Sequence, residues 1–488
     1  MNLRIICRVL GFILVVFSLS MLTMLPFALW YREVHSLIAL LESMGIGLML
    51  AAILYLIGRS AKGDIFRREA VAVVSISWIL VAALGALPFV AGGMTNNYTD
   101  AYFEAMSGLT TTGSTTLTFV EGQPRALLFW RSFLHFIGGL GIVVFFVAVL
   151  PLLGVGAKTL FKQEATGPVP EGLTPRIKDT ALGLCKIYIG LNLLQFVVLM
   201  ICGMSFFDAL NHAMATMATG GFSTRNSSIA HYTPLIEWVC VIFMFLAGTN
   251  FSLHLRALKG DWRCYWRSHE FRLYAGIVLI VSLFFIIILH MSATTAVSHP
   301  GELAVRDSFF TTLTIMTTTG FGTVDYDQWP NVCRMVILLL MFAGGMAGST
   351  AGGIKLIRFL ILWKIGRFHL AREASPHRVR TIKVDGRPLE LAAQRDTLVF
   401  FFFYMATFTI GCVLVCMLMP NQSLVSSVTA VVACLNNIGP GLEAVGPMMN
   451  FSTQSSAAKW VLSGLMLLGR LELFVVLMIL SPNFWRAR

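Results

Sequence analysis

A short word of hydroxyl residues ending in glycine recurs four times in this chain, each time in apolar surroundings. Its fullest form is Thr317-Thr318-Thr319-Gly320-Phe321-Gly322-Thr323. The variants are Thr110-Thr111-Thr112-Gly113-Ser114-Thr115, Ala218-Thr219-Gly220-Gly221-Phe222-Ser223 and Asn436-Asn437-Ile438-Gly439-Pro440-Gly441. Thirteen residues before Gly113, Gly221, Gly320 and Gly439 stand Asp100, Asp208, Asp307 and Ser426, each suited to cap a helix N-terminus. Four copies in register, without a gap, indicate a repeated unit. The dozen or so residues between cap and glycine are too few to cross a bilayer as a helix. Glycine admits backbone conformations that other residues avoid, and non-helical backbone at membrane depth survives only where it is buried or lines a wet cavity. A short helix that enters partway and returns as an extended strand meets that condition. Its C-terminus carries roughly half a negative charge, and carbonyls of the returning strand can replace a cation's water. The pattern predicts a fourfold pseudosymmetric cation pore made by one chain. The expected filter residues are Thr111, Thr112 and Gly113; Thr219, Gly220 and Gly221; Thr318, Thr319 and Gly320; and Asn437, Ile438 and Gly439.

The rest of the chain supplies a membrane setting. It is 57% hydrophobic and 12% charged, with a mean hydropathy of +0.77, which excludes the soluble globular classes. Apolar runs at 3–30 and 36–58 are read as retained helices; a cleaved leader is the alternative for the first. Eight more flank the four repeated words in pairs: 70–93 and 125–153, 179–204 and 234–257, 271–292 and 331–365, 397–419 and 457–481. The expected fold is all-α and polytopic, with ten transmembrane helices and four re-entrant segments. Its divisions are residues 1–68 (two N-terminal helices), 69–168, 169–265 and 266–372 (three repeats), 373–395 (a basic linker) and 396–488 (the fourth repeat). The net charge of +12 is not that of a nucleic-acid binder, because Lys and Arg fall in alternate loops. Loop 59–69 holds Arg59, Lys62, Arg67 and Arg68; loop 154–178 holds Lys158, Lys162, Arg176 and Lys178. The longest, 364–395, holds eight. These loops and both termini are assigned to the cytoplasm. The opposite face carries Asp100, Glu104, Glu121, Asp208, Asp325 and Asp327, readable as a cation collector or as helix caps and ordinary loop acids.

Two further features stand out. Gly344, Gly345, Gly348, Gly352 and Gly353 crowd ten residues of one span, together with Ser349 and Thr350. Close helix packing is one reading. A break is the other, since each Gly weakens a helix by roughly 1 kcal/mol relative to Ala. Arg470 lies deep in the last span, where an ionisable residue marks function unless it pairs locally; Glu472 is the nearby acid. Nine cysteines, mostly within apolar runs, show no ligand spacing, Cys412 and Cys416 included. His135 and His212 are read as packed or hydrogen-bonded residues.

The fourfold arrangement of span, short helix, Thr-Gly word and span resembles the Trk/Ktr/HKT superfamily of potassium transporters. The two extra N-terminal spans resemble its TrkH branch. Matching stretches also include Gly344-Gly345-Met346-Ala347-Gly348-Ser349-Thr350-Ala351-Gly352-Gly353-Ile354-Lys355, and Ser375-Pro376-His377-Arg378-Val379 with Lys383 and Gly386-Arg387 beyond it. The resemblance implies uptake of K⁺, bound in the filter, across a bacterial inner membrane by a homodimer with one pore per protomer. It also implies a cytoplasmic nucleotide-binding TrkA-type partner. It makes Gly344–Gly353 an intramembrane gating loop and puts Arg470 in the pore below the filter. Glycine in all four filter positions goes, in that superfamily, with potassium selectivity. The chain has no dinucleotide fingerprint or P-loop of its own. Nor does it carry hydrolase or metalloprotease motifs, so an embedded enzyme is not indicated. A sodium- or proton-coupled symporter of the same superfamily is the alternative, although coupled folds typically show two inverted repeats.

Overall fold

The computed structural model describes residues 1–61, 66–149, 177–292, 301–374, 381–389 and 391–486. Lys62, the loop residues 154–176, and Ser375 to Arg380 lie outside the described residues. Almost everything described is helical. Helix α1 (Leu3–Ser20) passes through a 3-10 turn into α2 (Leu25–Trp30), and α3 (Val34–Gly58) packs back along α1. Helices α4 (Arg67–Gly85) and α5 (Leu87–Ala91) lead into the short α6 (Tyr98–Leu109), followed by α7 (Arg125–Val149). The second set is α8 (Ile177–Ile201), the short α9 (Phe206–Met217), α10 (Pro234–Ala247) and α11 (Phe251–Leu258), with α12 (Cys264–Arg267) as a connector. The third is α13 (His269–Met291), the short α14 (Glu302–Met316), α15 (Asn331–Leu340) and α16 (Leu356–Ala374). A two-residue hairpin, β1 (Lys383–Val384) against β2 (Arg387–Pro388), precedes the last set. That set is α17 (Leu391–Leu418), the short α18 (Leu424–Leu435), α19 (Ser456–Arg470), α20 (Phe474–Leu480) and α21 (Pro482–Arg486).

Six helices among the described residues are long and apolar enough to cross a bilayer: Leu3–Trp30, Val34–Gly58, Arg68–Ala91, Ala181–Ile201, His269–Met291 and Leu391–Leu418. The chain is an all-helical, multi-pass membrane protein. The remaining four expected spans are all interrupted, three of them against the sequence reading and the third, at the glycine-rich stretch, in line with it. Gly141 breaks α7 with φ 71° and ψ 151°, a conformation open in practice only to glycine. Helices α10 and α11 meet at 95° across Gly248-Thr249-Asn250. The third span has no helix between Leu340 and Leu356, and the fourth breaks after Arg470, where Glu472 takes φ +53°. All four interrupted helices follow a short helix in sequence, whereas the helix before each short helix runs unbroken or nearly so.

The short helices survive because protein surrounds them. Every residue from Ala101 to Leu109 is buried, as is every residue from Thr429 to Leu435. Their caps are shifted from the expected positions. Asn97, Ser205 and Ser423 are the caps, accepting the N–H of Asp100, Asp208 and Ser426 respectively. The side chains also pair, at 2.9 Å for Asn97–Asp100 and Ser205–Asp208 and 3.0 Å for Ser423–Ser426. The cap thus takes the N–H of the third helical residue, which is the one the sequence pattern singled out. In the third copy the helix runs about a turn longer, starting after Gly301, which leaves Asp307 buried inside it.

Candidate functional site: four glycine turns and the loop against them

Each short helix ends the same way. Thr112, Gly220, Thr319 and Ile438 donate their N–H to the carbonyls of Ser107, Ala215, Thr314 and Ala433, at 2.8–2.9 Å. The residue before each of these has left-handed backbone: Thr111 φ +52°, Thr219 φ +54°, Thr318 φ +57° and Asn437 φ +55°. This is the Schellman closure of a helix, with a β-branched or amide residue where glycine normally sits. Such backbone is strained by about 1–3 kcal/mol per residue and gathers at functional sites. Two residues later the glycine itself is left-handed: Gly113 φ +83°, Gly221 φ +78°, Gly320 φ +79° and Gly439 φ +102°.

The glycines close a ring. A Cβ on Gly113 would overlap the Gly220 carbonyl oxygen; on Gly221, that of Thr319; on Gly320, that of Ile438. A Cβ on Gly439 would stand 2.8 Å from the Thr112 oxygen, completing the circuit. Every glycine therefore abuts the carbonyl preceding the glycine of the next copy. All twelve expected filter residues lie in these four turns. Thr111 Oγ1 and Asn437 Oδ1 are buried there without a hydrogen-bond partner in the protein. The fourth copy is joined to the first by Asn437 Nδ2 donating to Thr112 Oγ1 at 2.9 Å.

Beyond the glycines each returning strand is tied to its own short helix by a different residue. Glu104 accepts from Thr115 Oγ1 at 2.6 Å and Thr116 N–H at 2.5 Å. His212 Nε2 meets Ser223 Oγ at 2.9 Å, Thr314 Oγ1 donates to the Phe321 carbonyl at 3.0 Å, and Thr429 Oγ1 accepts the Leu442 N–H at 3.0 Å. Four of the six acidic residues of this face are engaged within the protein. Glu104 is wholly buried on Arg131, and Asp100 pairs with Lys459 at 2.6 Å. Asp208 accepts from Thr224 at 2.6 Å, and Asp327 accepts the Glu443 N–H at 2.8 Å. His135, as expected, packs, its ring stacked on Phe222 at 4.2 Å.

The glycine-rich stretch is a non-helical loop, so the break was the correct reading. It lies directly against the turns. Gly352 N–H donates to Thr318 Oγ1 at 2.7 Å, and a Cβ on Gly352 would meet the Asn436 carbonyl. Thr350 Oγ1 donates to the Met217 and Ala247 carbonyls at 3.0 and 3.2 Å, and Ser349 Oγ to the Met346 carbonyl at 2.6 Å. Gly348 and Gly353 take φ +73° and +68°, while Gly344 faces the Gly352 carbonyl and Gly345 the side of Ala351. Arg470 reaches this loop, its Nη1 donating to the Thr350 carbonyl and its Nη2 to the Gly138 carbonyl, both at 2.7 Å. Glu472, weighed as its local partner, meets Arg358 at 2.7 Å.

Sequence reasoning missed the residues that hold these parts. Glu270 Oε1 accepts both the Ala347 N–H at 2.8 Å and the Ile357 N–H at 3.0 Å, clasping the two flanks of the loop. Its neighbour His269 meets Asp385 of the hairpin at 2.6 Å. Lys355 is buried with its Nζ on the Ala351 carbonyl. A charged residue at the head of an apolar run was the available signal, and the same signal marks every ordinary span boundary.

Known proteins match this arrangement throughout. The TrkH family, described as a cation transport protein, matches residues 48–486. The chain is 37% identical to the Trk system potassium uptake protein TrkH of Escherichia coli K12 over 492 residues, and 35% identical to that of Halomonas elongata over 490, each covering both chains fully. The crystal structure of the potassium transporter TrkH from Vibrio parahaemolyticus superposes with a TM-score of 0.88 at 34% identity, again over the whole of both chains. With the fold, the fourfold turns and full-length similarity in agreement, the chain belongs to the TrkH family of cation transport proteins.

Proposed function

We propose that the chain takes up potassium across a bacterial inner membrane through a pore whose filter is the ring of four turns. The observation that carries this is the cyclic seating of Gly113, Gly221, Gly320 and Gly439 on carbonyls of the next copy. Such a ring gathers backbone oxygens at the negative ends of four helices, which is the chemistry that replaces the hydration shell of a cation. Four repeats, ten crossings counting each interrupted helix once, two preceding helices and the basic linker 373–395 make up this architecture.

The loop Gly344–Gly353 is the gate and Arg470 its tether, with the ring facing outward and both termini in the cytoplasm. A homodimer acting with a nucleotide-binding TrkA-type subunit completes the proposed assembly. No catalysis is assigned; the relatives are named as transport proteins. Rubidium uptake in cells lacking their own potassium uptake, with sodium as competitor, tests the proposal. Saturable uptake that sodium does not suppress is expected. Uptake that requires a sodium or proton gradient would favour the coupled symporter, and absence of uptake would overturn both.

A further inference from the structure

Four ties connect neighbouring copies two residues beyond the ring glycines, and one differs in kind. The Gly322 carbonyl accepts the Ile229 and Ala230 N–H groups at 3.1 and 3.2 Å, and the Gly441 carbonyl accepts Tyr326 O–H at 3.2 Å. The Thr115 carbonyl accepts the Phe451 N–H at 2.7 Å. These three are neutral. The fourth, joining the first and second copies, is made by a charged group: Arg131 of the first copy donates Nη1 to the Ser223 carbonyl of the second at 3.4 Å, and is itself paired out of water within the first copy, its Nε 3.1 Å from Glu104 Oε2 with side chains 2% and 0% exposed.

The guanidinium uses three nitrogens and one face. Nε donates to Glu104, Nη2 to Thr115 Oγ1 at 3.2 Å, and Nη1 to the Ser223 carbonyl at 3.4 Å. Its plane lies over the Phe222 ring, 3.8 Å from the centroid. Thr115 and Ser223 occupy the same position in their copies, so Arg131 spans equivalent points of adjacent returning strands. A lysine has one nitrogen and no planar fork, and cannot reproduce the set. A buried ion pair contributes little net stability over apolar packing, so its placement where Arg131 also meets two adjacent returning strands points to positional control. The pair is also neutral as a unit, which places a rigid strut beside the ring without adding a repelling charge.

We propose that the Arg131–Glu104 pair is a positioning element for ion selection: it sets the separation of the first two returning strands, and with it the spacing of carbonyls in that half of the ring. This rests on the ring being the filter. The test measures rubidium uptake with sodium competition, KM and maximal rate, and membrane-inserted protein, for Arg131→Lys, Glu104→Gln, Glu104→Gln/Arg131→Gln and Phe222→Leu, with Gly113→Ser as reference. Arg131→Lys is expected to lower the preference for potassium over sodium by roughly tenfold, equivalent to about 1.4 kcal/mol. The neutral double variant should show a similar loss, because the strut is gone whether or not a charge remains. A double variant with wild-type preference would mean that charge alone mattered, and would overturn the proposal. So would unchanged preference in Arg131→Lys while Gly113→Ser shifts it. If Glu104→Gln does not reach the membrane, Phe222→Leu decides, since it strands no charge: an unchanged ratio there overturns the proposal. A silent Gly113→Ser overturns the filter reading itself, and this inference with it.

Discussion

Replacing Gly113 by serine tests the ring most directly. At φ +83° a residue with a Cβ is strained by about 1–2 kcal/mol before any contact is counted. The added Cβ would also overlap the Gly220 carbonyl oxygen, so strain is relieved only by moving that oxygen or the turn bearing Gly113. Either movement displaces one of four walls. If the strain of about 1–2 kcal/mol appears as lost discrimination, potassium preference falls by a factor of roughly 5–30. Gly93 supplies the control: it has φ +74°, and nothing lies within 4 Å of a Cβ placed there. Gly93→Ser therefore carries comparable backbone strain without touching the ring. Competition between rubidium and sodium, normalised to membrane-inserted protein, should separate the two. An unchanged ratio in Gly113→Ser, or an equal loss in Gly93→Ser, would refute the reasoning.

Arg470→Ala removes two charge-assisted bonds to carbonyls, on the order of 1.5–3 kcal/mol each, and should raise basal leak per membrane-inserted protein. A leak unchanged from wild type would remove Arg470 as a tether. Deleting Gly344–Gly353 should raise basal flux far more than it alters the potassium-to-sodium ratio; comparable changes in both would assign the loop to the filter. Glu270→Ala leaves the Ala347 and Ile357 N–H groups without their acceptor, at about 1–3 kcal/mol each, whereas Glu270→Gln keeps an oxygen in place. Basal flux should rise in the first and much less in the second, and a tight Glu270→Ala would show that the clasp does not hold the gate.

The repeats were legible because glycine is irreplaceable where φ is positive and the chain abuts itself, so all four turns keep the same letter. The third interruption was legible for the same reason, five glycines in ten residues. The break after Arg470 was not: Leu471-Glu472-Leu473 reads as ordinary helix, and only tertiary contacts, the guanidinium on two carbonyls and Glu472 on Arg358, hold it open. The caps were misplaced, by three residues in the first, second and fourth copies and by six in the third, because Asp100, Asp208 and Ser426 are themselves plausible caps standing just beyond Asn97, Ser205 and Ser423. The braces behind the strands escaped notice since they are a carboxylate, an imidazole and two threonines, Glu104, His212, Thr314 and Thr429, with no common residue type across the four copies. What is common to them is where they reach, and that is a property of packing.

The dissimilarity of those braces follows from having all four quarters of the ring in one polypeptide. In an assembly of identical subunits, any substitution strikes every wall at once, and a filter of four matched walls either keeps its shape or loses it entirely. Here a substitution alters a single quarter. Each quarter can drift on its own, as the Asn436-Asn437-Ile438 turn has, with the other three holding the geometry meanwhile. Such a pore can be retuned in small, one-sided steps, and a survey of single substitutions should find graded permeation phenotypes with no fourfold equivalence among them.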